Sequence, residues 1–263
     1  MTTNPLQNLK EEILKEYPRL NPEDKFKFAC HPGVPCFNKC CQDINIFLTP
    51  YDIVRLKNRL GLRSDEFLSK YTIMPADQNQ NYPIIQLKMN ETEEKDCPFV
   101  TEKGCSVYED RPWPCRTYPV GSASPKEGMG EEHFYFMMKE DVCQGFEEGK
   151  EWSIKEWLDD QDVAPYDEMG ELFKEIAFHD FFLQGKKLTI NKVDMFFTAC
   201  YNIDEFRNFL TGSSFFKRFE VDEETKKKIF EDDVELLKFS FKWLRFALFS
   251  DPTMKVNEKY EYP

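Results

Sequence analysis

Apolar residues recur at three- and four-residue steps at the two ends of the chain, with shorter two-residue alternation between them. Near the N-terminus Leu6, Leu9, Ile13 and Tyr17 share a face, and their spacing predicts an amphipathic helix over residues 6–18. Residues 44–48 are too few for a helix and read as a strand. They run into Thr49, Pro50 and Asp52: a capping hydroxyl, a proline for the first turn and a nearby carboxylate. These predict a helix to about Leu60, stopped by Gly61. Ser64 opens another short helix in the same way. Residues 83–89 and 132–138 are β-rich, and turns rich in proline and glycine separate them.

After Cys143 the texture turns helical. Ser153 and Glu156 form a capping box, and helical periodicity continues to Phe249. In the last predicted helix Phe230, Val234, Leu237, Phe241, Leu244 and Leu248 form a stripe, which reads as a core face or, alternatively, as a surface for a protein partner. Seventeen of the 25 phenylalanines lie in this half, so it is expected to have an aromatic core of its own. Residues 239–249 are apolar on nearly every side yet carry Lys242 and Arg245, which places them in a core or an interface. The expected architecture is α+β. A cysteine-rich, metal-binding part with a small sheet and the N-terminal helix spans 1–148, a helical region spans 149–250, and a polar tail spans 251–263.

Charge narrows the function classes. Thirty-five basic against 48 acidic residues give −13, which repels nucleic acid and anionic lipid. No apolar run approaches the roughly 20 residues of a membrane span, and residues 1–7 lead into a charged stretch without a signal segment, so a soluble, cytoplasmic protein is expected. Nucleotide motifs are missing: there is no phosphate loop, and Gly128-Met-Gly130 lacks a third glycine. No paired-carboxylate site stands out and catalytic residues are unassigned. His179, among phenylalanines, reads as a core histidine, and His133, alternating within a strand, as structural.

The cysteines change the picture. Eight of the nine (Cys30, Cys36, Cys40, Cys41, Cys97, Cys105, Cys115 and Cys143) fall within 114 residues, and only Cys200 lies elsewhere. Disulfide frameworks belong to small secreted domains. A catalytic thiol calls for one cysteine with a basic partner, whereas this region has eight thiols and two histidines, His31 and His133. Thiolate ligation of metal accounts for the clustering with fewest assumptions. Structural zinc is usually marked by Cys-x-x-Cys, where one turn aims two sulfurs at one ion, and no such pair occurs here. Gaps of five, three, none, fifty-five, seven, nine and twenty-seven residues scatter the sulfurs over several loops, as iron–sulfur centres allow. Proline beside Cys36, Cys97 and Cys115 stiffens the backbone there. All eight are therefore candidate ligands for an iron–sulfur cluster of the [4Fe-4S] type, with zinc the alternative. Neighbouring side chains on an extended backbone face opposite ways, so Cys40 and Cys41 should not serve one metal atom. One belongs to the main centre, and the other to a second centre or to a buried thiol.

Several motifs carry a family resemblance: Cys36-x3-Cys40-Cys41, then Ile46-Phe-Leu-Thr-Pro-Tyr-Asp, Cys97-Pro-Phe-Val, Gly104-Cys-Ser-Val-Tyr-Glu-Asp-Arg-Pro and Pro114-Cys-Arg-Thr-Tyr-Pro. In this order they resemble the YkgJ-type cysteine-cluster family over about residues 28–148. Its members are described as chelating zinc or iron and include flagellin lysine N-methylases. Position by position, the resemblance marks Cys36, Cys40, Cys41, Cys97, Cys105 and Cys115 as cofactor-binding. Cys30 departs from it, separated from Cys36 by five residues where the family's first pair is separated by two or three. The resemblance also implies, as an alternative function, S-adenosylmethionine-dependent methylation of protein lysines at a site that these residues do not display. A zinc-stabilised interaction module is the other alternative.

Two features near Cys115 bear on such a centre. Arg111 and Arg116 could offset the charge of a thiolate cluster, or Arg111 could pair with Glu109 or Asp110. Tyr108, Trp113 and Tyr118 could shield it from water, or serve only as packing.

Overall fold

The computed structural model describes residues 18–75, 81–123, 133–147 and 149–260. All but the last residue of the helix expected over 6–18 lies outside them. Among the described residues nine short strands form four separate antiparallel sheets instead of the single small sheet expected. β1 (Lys25–Phe28) pairs with β9 (Lys150–Ser153). β2 (Phe47–Leu48) and β3 (Thr72–Ile73) flank β4 (Ile85–Leu87). β5 (Val100–Thr101) and β6 (Gly104–Cys105) make a hairpin, and β7 (Val120–Ala123) pairs with β8 (Phe134–Met137). The α+β class holds.

Among the described residues there are eleven α-helices. α1 (Pro50–Leu60) has the expected bounds: Thr49 and Asp52 complete a reciprocal capping box, and Gly61 ends it at φ 65°, the left-handed conformation that glycine adopts freely. α2 (Ser64–Tyr71) begins one residue earlier than expected, with Arg63 at the cap, and the Ser64 hydroxyl instead donates to Asn202 Oδ1. A five-residue helix, α3 (Trp113–Thr117), carries Cys115. α4 (Ile154–Asp160) starts at the Ser153 capping box. The helical half continues as α5 (Ala164–Ala177), α6 (Asp180–Leu183), α7 (Ile190–Cys200), α8 (Ile203–Gly212), α9 (Phe215–Arg218), α10 (Glu223–Glu231) and α11 (Asp233–Phe249).

Three expectations are corrected in detail. The stripe from Phe230 to Leu248 is not one helix. Asp232 adopts φ −133°, and its side chain accepts from the Val234 and Glu235 amides, so α10 ends and α11 begins there. Phe230 therefore sits on α10, while Leu237, Phe241, Leu244 and Leu248 are buried as a core face. Nor do the phenylalanines make a core of their own. One hydrophobic core joins Leu56, Phe67 and Ile85 to Phe196, Phe206 and Leu244, and Tyr82 stacks on Phe196 at 5.1 Å. Residues 251–260 lie back on the protein: Asp251 pairs with Arg245 at 2.8 Å, the Asn257 amide donates to the Arg218 carbonyl at 2.7 Å, and Phe219 bridges Val256. A second, smaller core of Phe28, Val120, Ile154 and Trp157 lies under β1, β9 and α4, so the chain beyond residue 149 first returns to the cysteine half.

A buried ion-pair network fastens the halves. Lys57 Nζ of α1 is 2.7 Å from Asp233 and 3.3 Å from Asp204, and Arg207 contacts both carboxylates. Asp204 also accepts from the Ser64 amide at 2.7 Å. Burial opposes ionisation of both acids, but these donors and the Lys57 charge win, and both carboxyls are held below their ordinary value. Replacing Lys57 removes the buried ammonium between the two carboxylates and leaves them to Arg207 alone, so Lys57→Ala should lower stability by about 3 kcal/mol in urea unfolding at neutral pH. Because the folded values are depressed, this contribution is present above the unfolded carboxylate value of 3.8 and is lost as pH falls through the folded values. The difference between wild type and Lys57→Ala should accordingly narrow below about pH 4.

Candidate metal centre

The thiols gather in two groups. Cys30, at the end of β1, lines a small cavity with Cys36, Cys40 and Cys143. Cys41, Cys97, Cys105 and Cys115 interact electrostatically with one another on the other side of the same loop. Between Cys36 and Cys41 the chain is a chain of tight turns. The Lys39 amide donates to the Cys36 carbonyl at 2.9 Å, the Cys41 amide to the Asn38 carbonyl at 3.0 Å, and Asn38 takes φ 68°. Side chains of Cys40 and Cys41 touch each other, but Cys40 faces the first group and Cys41 also faces Cys97 and Cys115.

Pairing of distant segments closes the first group. The β1–β9 ladder brings Gly145 and Gly149 beside Phe28 and Ala29, and the Ala29 amide donates to the Gly145 carbonyl at 3.0 Å. This approach needs glycine, since a Cβ at position 145 would stand 2.5 Å from the Ala29 carbonyl oxygen. In the second group the Cys97 amide donates to the Cys41 carbonyl at 2.8 Å, and Gln42 Nε2 donates to Asp96 at 2.9 Å. Cys105 sits on the β5–β6 hairpin opposite Val100. Asp52 sets the position of α3: besides capping α1, its second oxygen accepts from the Trp113 amide at 2.8 Å. One buried carboxylate thus ties the helix start predicted from sequence to the turn that carries Cys115.

The surroundings suit thiolates. The Gln144 amide donates to Cys36 Sγ at 3.2 Å, backbone donors of Phe99 and Val100 face Cys97, and that of Val107 faces Cys105. Burial pushes Cys97, Cys105 and Cys115 up, even though Cys115 keeps an exposed edge, and crowding by other thiols adds to it for Cys97 and Cys115. Burial and the neighbouring Cys40, Cys36 and Cys143 raise Cys30 to about 11. In the touching pair, a hydrogen bond from Cys41 lowers Cys40 and correspondingly raises Cys41.

Arg111 is buried and pairs with no carboxylate among the described residues. It donates to the Tyr108 carbonyl and to Gln161 Oε1, and lies 3.9 Å from the centre of the Tyr108 ring. Asp110, one of the two partners expected for it, instead binds Arg55 at 2.6 Å. Arg111 stands near Cys105 and Cys115, where its charge favours the anionic sulfurs. Arg116, also buried, donates to the Gln161 and Glu109 carbonyls and leaves its Nε without a partner. Neither arginine forms an ion pair with a carboxylate among the described residues, and thiolates would supply anions beside them, so the donor set fits a metal held by sulfur.

The histidines and Cys200 lie outside both groups. His31 accepts from the Gly33 amide in its own turn. His133 shares a hydrogen with Ser122 at 2.7 Å, and His179 caps α6 while stacking on Phe249 at 3.8 Å. Cys200 is buried in the main core beside Tyr82 and Tyr201. Of the three aromatics, Tyr118 lines the first cavity, Trp113 donates to Asp167 at 2.7 Å and Tyr108 covers Arg111. Gln161, Gly145 and the Gln144 amide did not stand out in the sequence, and Asp52 stood out only as a helix cap, since each works here through a backbone group or a partner remote in the chain.

The glycine approach yields a test. Gly145→Ala should lower unfolding stability by about 2 kcal/mol, because the methyl group meets fixed backbone. Gly170→Ala, a helical position with nothing within 4 Å, should instead raise it by about 0.5 kcal/mol. Chemical denaturation of the two variants beside wild type measures both.

No curated protein and no solved structure matches the chain. Residues 29–144 match the family model CxxCxxCC, described as "Putative zinc- or iron-chelating domain". The matched stretch begins one residue before Cys30 and ends one residue after Cys143, so it takes in both groups of thiols. Residues 29–144 of this chain are thus similar to that cysteine-cluster family.

Proposed function

We propose that the chain holds metal on two four-thiolate centres, Cys30, Cys36, Cys40 and Cys143 in one and Cys41, Cys97, Cys105 and Cys115 in the other, and that each is an iron–sulfur cluster. The observation that carries this reading is the junction at Cys40 and Cys41, where consecutive residues turn to different groups of four. Metal binding as such rests on the family match.

Iron–sulfur is favoured over zinc by spacing. Four sulfurs at 2.3 Å from one zinc ion lie about 3.8 Å apart. Among the described residues no three cysteine, histidine, aspartate or glutamate side chains are gathered to hold a single ion, and the chain has no Cys-x-x-Cys pair of the kind that marks structural zinc. The cavity of the first group, about 20 Å³, is small for such a cluster, and its sulfurs would have to spread to admit one. Amide donors on Cys36, Cys97 and Cys105 are of the kind that tune cluster potentials. When bound, the clusters would supply one-electron chemistry, while the chain supplies the thiolates, their hydrogen bonds and the nearby arginines. All nine cysteines are unpaired, which suits a reducing cytoplasm. No helix among the described residues is long and apolar enough to cross a membrane. Every described sheet is antiparallel, so methyl transfer on a doubly wound cofactor-binding sheet takes no support from this fold.

Protein purified without oxygen should be brown, with absorption near 400 nm and roughly eight iron and eight sulfide per chain if both centres are of the four-iron type. Cys40→Ser and Cys41→Ser should each remove about half the iron. Colourless protein with stoichiometric zinc would sink the iron–sulfur reading. A single centre lost in only one of the two variants would sink the division between groups.

A further inference from the structure

Tyr118 leaves α3 three residues after Cys115, and its ring turns toward the first group of thiols. The ring is held rigidly: it meets Phe28 edge-on at 5.9 Å, and Phe28 in turn packs against Phe146 at 5.3 Å and Trp157 at 5.4 Å. Pro119, the next residue, accepts from the Met138 amide at 2.8 Å, which fixes the backbone beside it. The hydroxyl at the end of this fixed ring is buried without a hydrogen bond of good geometry, and it faces the Cys143 sulfur and the Glu140 backbone. Its neighbour in the cavity is Cys143.

An unpartnered buried hydroxyl is costly, and phenylalanine would fill the same space without that cost. A neutral thiol is a weak acceptor. A thiolate accepts strongly, so the donor becomes useful once the sulfur has lost its proton. We infer that Tyr118 donates a hydrogen bond to the metal-bound Cys143 thiolate and so stabilises the first centre independently of the second. The inference rests on the reading of these cysteines as metal ligands. Withdrawing electron density from one sulfur lowers its tendency to take up a proton and leave the metal. It also lowers the energy of the sulfur lone pairs from which the visible charge-transfer bands arise. Tyr118 is thus a positioning and tuning residue whose action is confined to the four sulfurs that share its cavity.

The test compares the full-length metal-loaded protein with its Tyr118→Phe variant, using Tyr108→Phe as a control on an exposed ring. Circular dichroism should be unchanged, because the ring and its contacts with Phe28 remain. Release of metal to a chelator, followed over time and counted, should have two portions, and Tyr118→Phe should speed one portion roughly 10-fold while leaving the other as in the parent. The sulfur-to-metal bands of the variant should shift to longer wavelength. A variant with the parent's release profile and spectrum overturns the inference while leaving the metal-binding reading intact, and so does equal acceleration of both portions. A parent protein that carries no metal overturns the reading and the inference together.

Discussion

Thiols crowded together out of water hold on to their protons, and thiolates crowded together repel one another. The cysteine half is arranged around that electrostatic constraint. Burial and neighbouring sulfurs push Cys30, Cys97 and Cys115 up, and the chain answers with donors and charge. Amides of Gln144, Phe99, Val100 and Val107 face sulfur, Arg111 stands by Cys105 and Cys115, and the Tyr118 hydroxyl waits beside Cys143. Metal releases the constraint by replacing protons with a cation shared among several sulfurs.

Holding the sulfurs in two groups requires rigid connections over long stretches of chain. The β1–β9 pairing and the close approach of Gly145 to Ala29 bring Cys143 back to Cys30 across more than a hundred residues. Asp52 caps α1 and α3 at once, and Gln161 receives Arg111 on its side chain and Arg116 on its carbonyl. Gln161 immediately follows α4, so the two arginines tie the cysteine loops to the chain that leads into the helical half.

The helical half therefore serves as more than a neighbour. Its phenylalanines complete a core that begins in α1, α2 and β4, and Lys57 reaches across to Asp204 and Asp233. With one core shared between them, neither half has its full hydrophobic burial without the other, and the helices serve as a stiff backing for the loops that carry sulfur.

By itself the sequence determined what is local. Thr49, Asp52 and Gly61 fixed the bounds of α1, Ser153 and Glu156 fixed the start of α4, and the clustering of eight cysteines marked the chemistry, because caps, turns and composition are written in neighbouring residues. The expectation that Cys40 and Cys41 face apart assumed an extended backbone, whereas the two residues lie in a tight helical turn with their side chains in contact. Tertiary structure decided which thiols share a group, since Cys30 and Cys143 meet only through the β1–β9 ladder. It also decided that Arg111 leaves Asp110 to Arg55, that Asp232 divides the last stripe of apolar residues, and that the phenylalanines join a common core. Each of these outcomes is a competition between partners far apart in the chain, settled by burial and geometry that no local pattern encodes.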